Sequence, residues 1–284
     1  MNEELRRRVV PVVELSDPRL EDYQNLRDRE LAHVRGAFIA ESEVVLRVLV
    51  TRSEHRVRSV LLAESRLDKL ADALRSLPPE VPIFVAPQPI LDRVVGFHIH
   101  RGVLAAVERP HPPGPEALLD RLGPGPRRVV VLEGLTNHDN VGGVFRNAAA
   151  FGADGVLLDH ATCDPYYRKA IRVSVAGALI VPFARAADTT DHLAALRATG
   201  FTVFALSPRP DARDLANLGR LPERVALLLG TEGPGLRETS MAAADGTLRI
   251  DMAGGFDSLN VATTSGIALH ALRTAQMAQT SGDG

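Results

Sequence analysis

Short runs of consecutive apolar residues alternate along this chain with stretches whose apolar positions recur every three or four residues, the pattern of strands exchanging with amphipathic helices. Ser16-Asp17-Pro18 pairs an N-cap candidate with an early-turn proline and predicts a helix through about Ala32. Ala37–Ala40, Val57–Ala63, Pro82–Ala86 and Gly102–Val107 read as strands. Between them, Ser42–Val50 reads as a helix with Val44, Val45, Leu46, Val48 and Leu49 turned inward, and Glu64–Leu77 as a helix on Leu67, Leu70, Ala71 and Leu74. Ile90–Val95 is a third, short one. After residue 127 the predicted strands are Arg128–Leu132, Gly155–Leu158, Phe201–Leu206, Val225–Leu229 and Leu248–Ile250, with helices at Asn140–Phe151 and Ser258–Met277. These later strands are continuously apolar rather than alternating, which implies a mostly parallel sheet covered on both faces. The fold class is therefore α/β, with a small α/β sandwich first and a larger parallel-sheet domain second.

The boundary between them is proline-rich. Six of the 18 residues in 109–126 are proline, which removes backbone donors and rules out a continuous helix or a central strand. The segment reads as a semi-rigid linker with one helical turn at Glu116–Leu122, dividing the chain into 1–108, 109–126 and 127–284. At 284 residues and 45% hydrophobic, either part is long enough for a core of its own. Cys163 is the single cysteine, so an intrachain disulfide and a thiolate zinc cluster are excluded, and a reducing cytoplasm fits. The first residues carry charges of both signs and read as no signal peptide, and no apolar run is long enough to cross a bilayer. The net charge is −2. Any polyanionic partner must then be met by a local patch.

Three loops carry the candidate chemistry, each directly after a predicted strand, where open α/β sheets bind ligands. The first runs Glu133-Gly134-Leu135-Thr136-Asn137-His138-Asp139-Asn140-Val141-Gly142-Gly143-Val144-Phe145-Arg146. Asn140 is placed to cap the following helix, the two glycines allow close approach, and His138 reads as polar lining. The second, Gly230-Thr231-Glu232-Gly233-Pro234-Gly235, is a tight turn with a carboxylate at its centre. The third passes through Gly254-Gly255 to Ser258-Leu259-Asn260, where Ser258 is a good N-cap and capping does not explain Asn260. Taken singly, each also reads as a turn or a cap. Neither G-x-G-x-x-G nor G-x-x-x-x-G-K-[ST] occurs, so dinucleotide and P-loop readings lose their support.

In this order the three loops resemble the motifs of the SpoU, or TrmH-like, branch of the SPOUT RNA methyltransferases: N-x-G-x-x-x-R at Asn140–Arg146, G-x-E-G-x-G at Gly230–Gly235 and S-L-N at Ser258–Asn260. The resemblance covers about residues 127–278. It implies a deep trefoil knot in the second domain and a homodimer with active sites assembled between subunits, for which Ile267, Leu269 and Leu272 of the closing helix offer a surface. It also implies methyl transfer from S-adenosylmethionine to a ribose 2′-hydroxyl in RNA, with no metal. Arg146, Asn140, Glu232, Ser258 and Asn260 are then the catalytic candidates, and Leu206, Gly230, Ile250 and Leu259 fall at the cofactor. Phe38-Ile39-Ala40-Glu41-Ser42 and the elements after it are similar to the family's substrate-binding domain, which resembles ribosomal proteins that bind kinked RNA. Many relatives have proline before the motif asparagine; this chain has Asp139.

A guanidinium is an implausible base, so Arg146 is expected to grip a phosphate and orient the hydroxyl, with Asn140 holding Arg146 or the ribose and Glu232 fixing that arginine or its loop. Arg47, Arg52, Arg56 and Arg58, with His55, form the densest basic run of the first part. Tyr166, Arg168, Lys169 and Arg172 place an aromatic beside cations, a pattern suited to stacking on RNA. Ribosomal RNA is preferred as substrate, transfer RNA being the alternative. A non-catalytic RNA-binding or ribosome-assembly protein and a base methylase are the rival readings.

Overall fold

The computed structural model describes residues 3–24, 28–95, 102–253 and 258–282. Contacts divide the chain into two units, Met1–His111 with Tyr166–Ile180, and Pro112–Pro165 with Val181–Gly284.

The first unit is built on a five-stranded sheet of β1 (Val9–Pro11), β2 (Ala37–Glu41), β3 (Val57–Ala63), β4 (Ile83–Ala86) and β5 (Val103–Glu108), in the order β1-β4-β3-β5-β2. The β1/β4 and β4/β3 pairs are parallel, and β3/β5 and β5/β2 antiparallel. Helices α1 (Glu3–Arg8), α2 (Asp28–Val34), α3 (Glu43–Arg52), α4 (Ala71–Arg75) and α5 (Gln88–Val95) accompany it. The helix expected from Asp17 to Ala32 is not continuous. Pro18–Tyr23 is a 3-10 turn and Gln24 is extended, with its side-chain amide donating to Leu15 O at 2.7 Å; residues 25–27 lie outside the described residues. The tighter turn eclipses side chains three apart and so sends both Leu20 and Tyr23 into the core. Glu64–Leu77 also breaks, into a turn at Glu64–Arg66 and the short α4. In α3 only Val45, Leu46 and Leu49 are buried, and Val44 is exposed. Edge strand β1 was not foreseen; an edge tolerates its Pro11.

The second unit holds a seven-stranded, wholly parallel sheet in the order β10-β12-β9-β11-β6-β7-β8. It opens with α6 (Pro115–Arg121), β6 (Arg127–Leu132), α7 (His138–Phe151) and β7 (Gly155–Leu158). The chain then departs for residues 166–180, with α8 (Arg168–Val173), and returns to β8 (Phe183–Arg185), α9 (Thr189–Ala198), β9 (Thr202–Leu206), β10 (Arg213–Asp214), β11 (Arg224–Leu229), α10 (Glu238–Ala242), β12 (Gly246–Arg249) and α11 (Val261–Gly282). The stretch expected to be a linker belongs to this unit from Pro112 onward. Pro115 opens α6, and Leu118 and Leu119 lie in its core with Leu157, Leu193 and Leu228. α9, not foreseen, starts on a capping box between Asp188 and Asp191.

Residues 166–180 pack within the first unit, although they lie forty residues beyond the predicted boundary. Tyr166 stacks on Phe38 with ring centroids 4.7 Å apart and planes 4° from parallel. His55 stands edge-on to both rings, its Nε2 2.9 Å from the Tyr166 hydroxyl and its Nδ1 2.8 Å from Ser53 Oγ. The Arg109 guanidinium also lies over Tyr166, 5.3 Å from its ring centroid.

Candidate active site

The three loops are carried by the carboxyl ends of β6, β11 and β12, because parallel strands all end on the same side of their sheet. The first loop enters α7 earlier than expected. Asn137, not Asn140, is the N-cap, its Oδ1 accepting from Asp139 N at 2.8 Å. That bond uses a backbone N–H which a proline at 139 would lack. Asn140 instead sits inside the first turn of α7, buried. One helical face carries Asn140, Gly143 and Asn147 toward α11. A Cβ at Gly143 would stand 2.5 Å from that of Ala262, so only glycine permits this approach. Asn147 Nδ2 donates to Ala262 O and to Ser265 Oγ at 2.5 and 2.9 Å.

The cap of α11 also differs from expectation. The helix begins at Val261, and Asn260 rather than Ser258 caps it, Oδ1 accepting from Ala262 N at 2.9 Å and Thr263 N at 3.3 Å. This orients the amide so that Nδ2 donates to Asn140 Oδ1 at 2.9 Å and to Glu232 Oε1 at 2.8 Å. Asn260 thus joins all three loops. Gly254 and Gly255 lie outside the described residues. The loop after β11 doubles back on itself. Thr231 and Gly235 form an antiparallel bridge, and a Cβ on Gly230 would lie 2.5 Å from Gly235 C and Leu236 N.

A cleft of about 430 Å³ opens at these strand ends, within the roughly 300–1,000 Å³ usual for small-molecule sites. Leu206, Gly230, Ile250 and Leu259 all line it, as do Glu232, Ser258 and Asn260. Arg146 does not. Six residues after Asn140 it has turned about 240° around α7; it is exposed and makes no hydrogen bond or ion pair among the described residues. Within one chain Arg146 meets neither Asn140 nor Glu232, both of which bind Asn260 instead.

The RNA-contact candidates are largely engaged. Arg47 pairs with Glu43 and Asp72, at 3.1 and 2.6 Å. Arg56 lies 3.4 Å from Glu108. Arg58 donates to Arg35 O and Gly36 O and faces Asp22. Tyr166 is 6% exposed, so its ring is packed against protein rather than offered to a base. Arg52, Lys169 and Arg172 are exposed, and Arg168 is half-buried. Sequence reasoning missed Glu133 and Arg237. A carboxylate directly after a buried strand was the available signal: Glu133 is 4% exposed and ion-paired to Arg237 at 2.9 Å. No group of three or more His, Cys, Asp or Glu able to hold a metal occurs among the described residues, and no described helix is long and apolar enough to cross a membrane.

Comparison with known proteins agrees with this geometry. Residues 127–270 match a family model described as the SpoU rRNA Methylase family. A Mycobacterium bovis protein named as an uncharacterised tRNA/rRNA methyltransferase is 38% identical over 268 residues, 92% of this chain and 91% of that one. A Pseudomonas syringae protein named as a 23S rRNA (guanosine-2′-O-)-methyltransferase is 31% identical over 229 residues, 78% and 89% of the two chains. The crystal structure of an AdoMet-bound rRNA methyltransferase from Sinorhizobium meliloti superposes with a TM-score of 0.78 at 24% identity, covering 94% of this chain and 98% of that one. That likeness shows a shared fold.

Proposed function

The chain belongs to the SpoU rRNA methylase family, and from that premise we propose that it transfers a methyl group from S-adenosylmethionine to a ribose 2′-hydroxyl of RNA, ribosomal RNA first. The observation that carries the reading is the Asn140–Asn260–Glu232 junction at the mouth of a cleft on the carboxyl edge of a parallel sheet. The cleft suits the cofactor. Leu206, Leu229, Ile250 and Leu259 give apolar walls for an adenine ring, and the Gly230 turn leaves main-chain groups to read its edge. S-adenosylmethionine supplies an electrophilic methyl on its sulfonium sulfur, so the protein's task is to bind it and align the hydroxyl. Glu232 and Ser258 face the cleft, and Asn260 locks Glu232 in place. The Arg146 guanidinium holds a phosphate of the substrate bidentately and orients the hydroxyl, whose proton passes to phosphate oxygen or water.

Arg146 stands outside its own chain's cleft, which supports a homodimer in which it serves the partner's. The first unit, with Arg52 and Arg172 exposed, is the RNA selector in this reading, and the backbone knot of the family's second domain is part of it. Calorimetry with S-adenosylmethionine tests the first half: micromolar binding is expected, and none at millimolar cofactor would leave an RNA-binding protein without transferase activity. Nucleoside mass spectrometry of RNA treated with the protein tests the second, a 2′-O-methyl nucleoside being expected and a base-methylated one overturning the ribose.

A further inference from the structure

Residues 230–236 leave β11 and re-enter the protein at Arg237, and both ends of this loop are held by one residue that follows another strand. Glu133 comes directly after β6. Its backbone N–H donates to Leu229 O, the last carbonyl of β11, at 2.9 Å. Its carboxylate accepts from the backbone N–H of Arg237 at 2.7 Å. The other carboxylate oxygen takes Nε and Nη2 of Arg237 at 3.1 and 2.9 Å and the buried hydroxyl of Ser240. Arg237 in turn forks onto Asp188, at 2.8 and 3.1 Å.

The bond at the entry continues the β6/β11 ladder, and the carboxylate adds a second tie at the exit. Here the main chain of Glu133 holds the entry and its side chain the exit. Burial pushes the Glu133 carboxyl up, but the backbone and side-chain hydrogen bonds from Arg237 and Ser240 outweigh it and leave it below the usual range. The group is therefore ionised at neutral pH, and buried charge with four donors is costly to disturb. Glu133 does not line the cleft. Leu229, whose carbonyl accepts from its backbone N–H, and Leu236, one residue before Arg237, do.

We propose that Glu133 is a positioning residue, clasping the two ends of loop 230–236 and so setting how tightly the cleft holds its nucleoside ligand. The identity of that ligand, S-adenosylmethionine, rests on the function proposed above; the clasp does not. Glu133→Gln keeps the shape but turns one acceptor into a donor facing a guanidinium. In the full chain without cofactor, amide hydrogen exchange across 231–236 should quicken by about tenfold or more, while exchange within β11 stays unchanged. S-adenosylmethionine should bind about tenfold or more weakly, with kcat at saturating cofactor reduced by less than about threefold. Glu133→Asp, which keeps the charge on a shorter stem, should fall between, and serves if the Gln variant does not fold. Asp188→Asn removes the other partner of Arg237 and should lower Tm while loop exchange and cofactor affinity stay within about twofold. Unchanged loop exchange in both Glu133 variants would overturn the clasp, as would equal loosening in Asp188→Asn at a matched Tm. Wild-type protein that fails to bind S-adenosylmethionine would overturn the proposed ligand instead, the exchange measurement still deciding the clasp.

Discussion

Asn260 donates from Nδ2 to Asn140 Oδ1 across 2.9 Å, while its own Oδ1 caps α11. Every hydrogen-bonding position of the Asn260 amide is used, the fourth by Glu232. The side chain therefore has two separable duties, ending a helix and joining three loops. Asn260→Ser keeps an oxygen suited to capping but has no NH2 to donate to Asn140 and Glu232. Methyl transfer should fall on the order of 100-fold, with stability within about 1 kcal/mol of wild type, since serine caps as well as asparagine. Asn260→Asp also caps but sets a carboxylate against Glu232, and should bind cofactor more weakly. Activity assays beside thermal melts separate the two duties; parallel loss of Tm and activity in Asn260→Ser would reduce the residue to a cap.

Arg146 is exposed and unpaired among the described residues, so Arg146→Ala should leave folding stability within about 0.5 kcal/mol and cofactor affinity unchanged. Turnover should drop on the order of 100-fold or more if the guanidinium grips the reacting nucleotide. Co-expressing Arg146→Ala with Asn260→Ser chains tests the shared site. Two subunits, each inactive alone, rebuild one intact site if Arg146 of one works with Asn260 of the other. Activity in the mixed dimer is expected, and a mixture as inactive as its parents would place both residues in one chain.

Much of this site was legible because glycine, asparagine and serine clusters come after continuously apolar strands, a local signal. What was not legible depends on residues far apart in sequence. Arg47, Arg56 and Arg58 read as a basic patch until Asp72, Glu108 and Asp22 arrive from other elements to neutralise them. Tyr166 reads as a stacking platform until Phe38 covers it. The closing-helix residues Leu269 and Leu272, offered with Ile267 as a dimer surface, are fully buried in their own unit, leaving Ile267 41% exposed. Ser258 and Asn260 are equally good caps by residue type, and only the three-loop junction decides for Asn260. A sequence boundary at residue 126 could not show that residues 166–180 return to the first unit.

Ser42, the N-cap of α3, has φ 101° and ψ 154°, a region almost reserved for glycine and costing about 1–3 kcal/mol. Its Oγ accepts from Val45 N at a long 3.4 Å. Glycine caps a few tenths less well than serine and loses about 0.5–1 kcal/mol in chain entropy, so relief of strain should win. Ser42→Gly is expected to raise the urea midpoint, and Ser42→Ala, which keeps the strain and drops the cap, to lower it. A midpoint unchanged or lowered in Ser42→Gly would show that the strain is small.

Burial lowers the pKa of His55 and of His192 from the ordinary 6.5. The folded protein then favours neutral rings while the unfolded chain takes up protons sooner. Stability should be flat above about pH 7, fall as pH drops below 6.5 and level off once the folded rings are charged. His55→Gln keeps a partner for the Tyr166 hydroxyl but cannot titrate, and should flatten part of the slope of Tm between pH 7 and 5. A slope identical to wild type would mean that His55 gains its proton without cost.

Truncation gives the sharpest test of where the second unit begins. A fragment starting at Gly125 would contain every loop of the candidate site, yet it lacks α6, whose Leu118 and Leu119 are 4% and 1% exposed in the core. Losing two buried leucines costs about 2–5 kcal/mol each, a large share of the 5–15 kcal/mol that holds a domain together. It also leaves residues 166–180 without Phe38 and His55, so that Tyr166 is exposed on a segment still carrying Val175 and Ala176 at left-handed φ values of 52° and 64°. A fragment starting at Pro112 restores the first loss but not the second. The expected order of Tm is full chain, then the Pro112 fragment, then the Gly125 fragment, with the last largely unfolded at room temperature. Adding Tyr166→Ser to the Pro112 fragment should improve its solubility without changing its Tm by more than a few degrees. A Gly125 fragment melting as high as the Pro112 one would show that the proline-rich stretch is a linker after all.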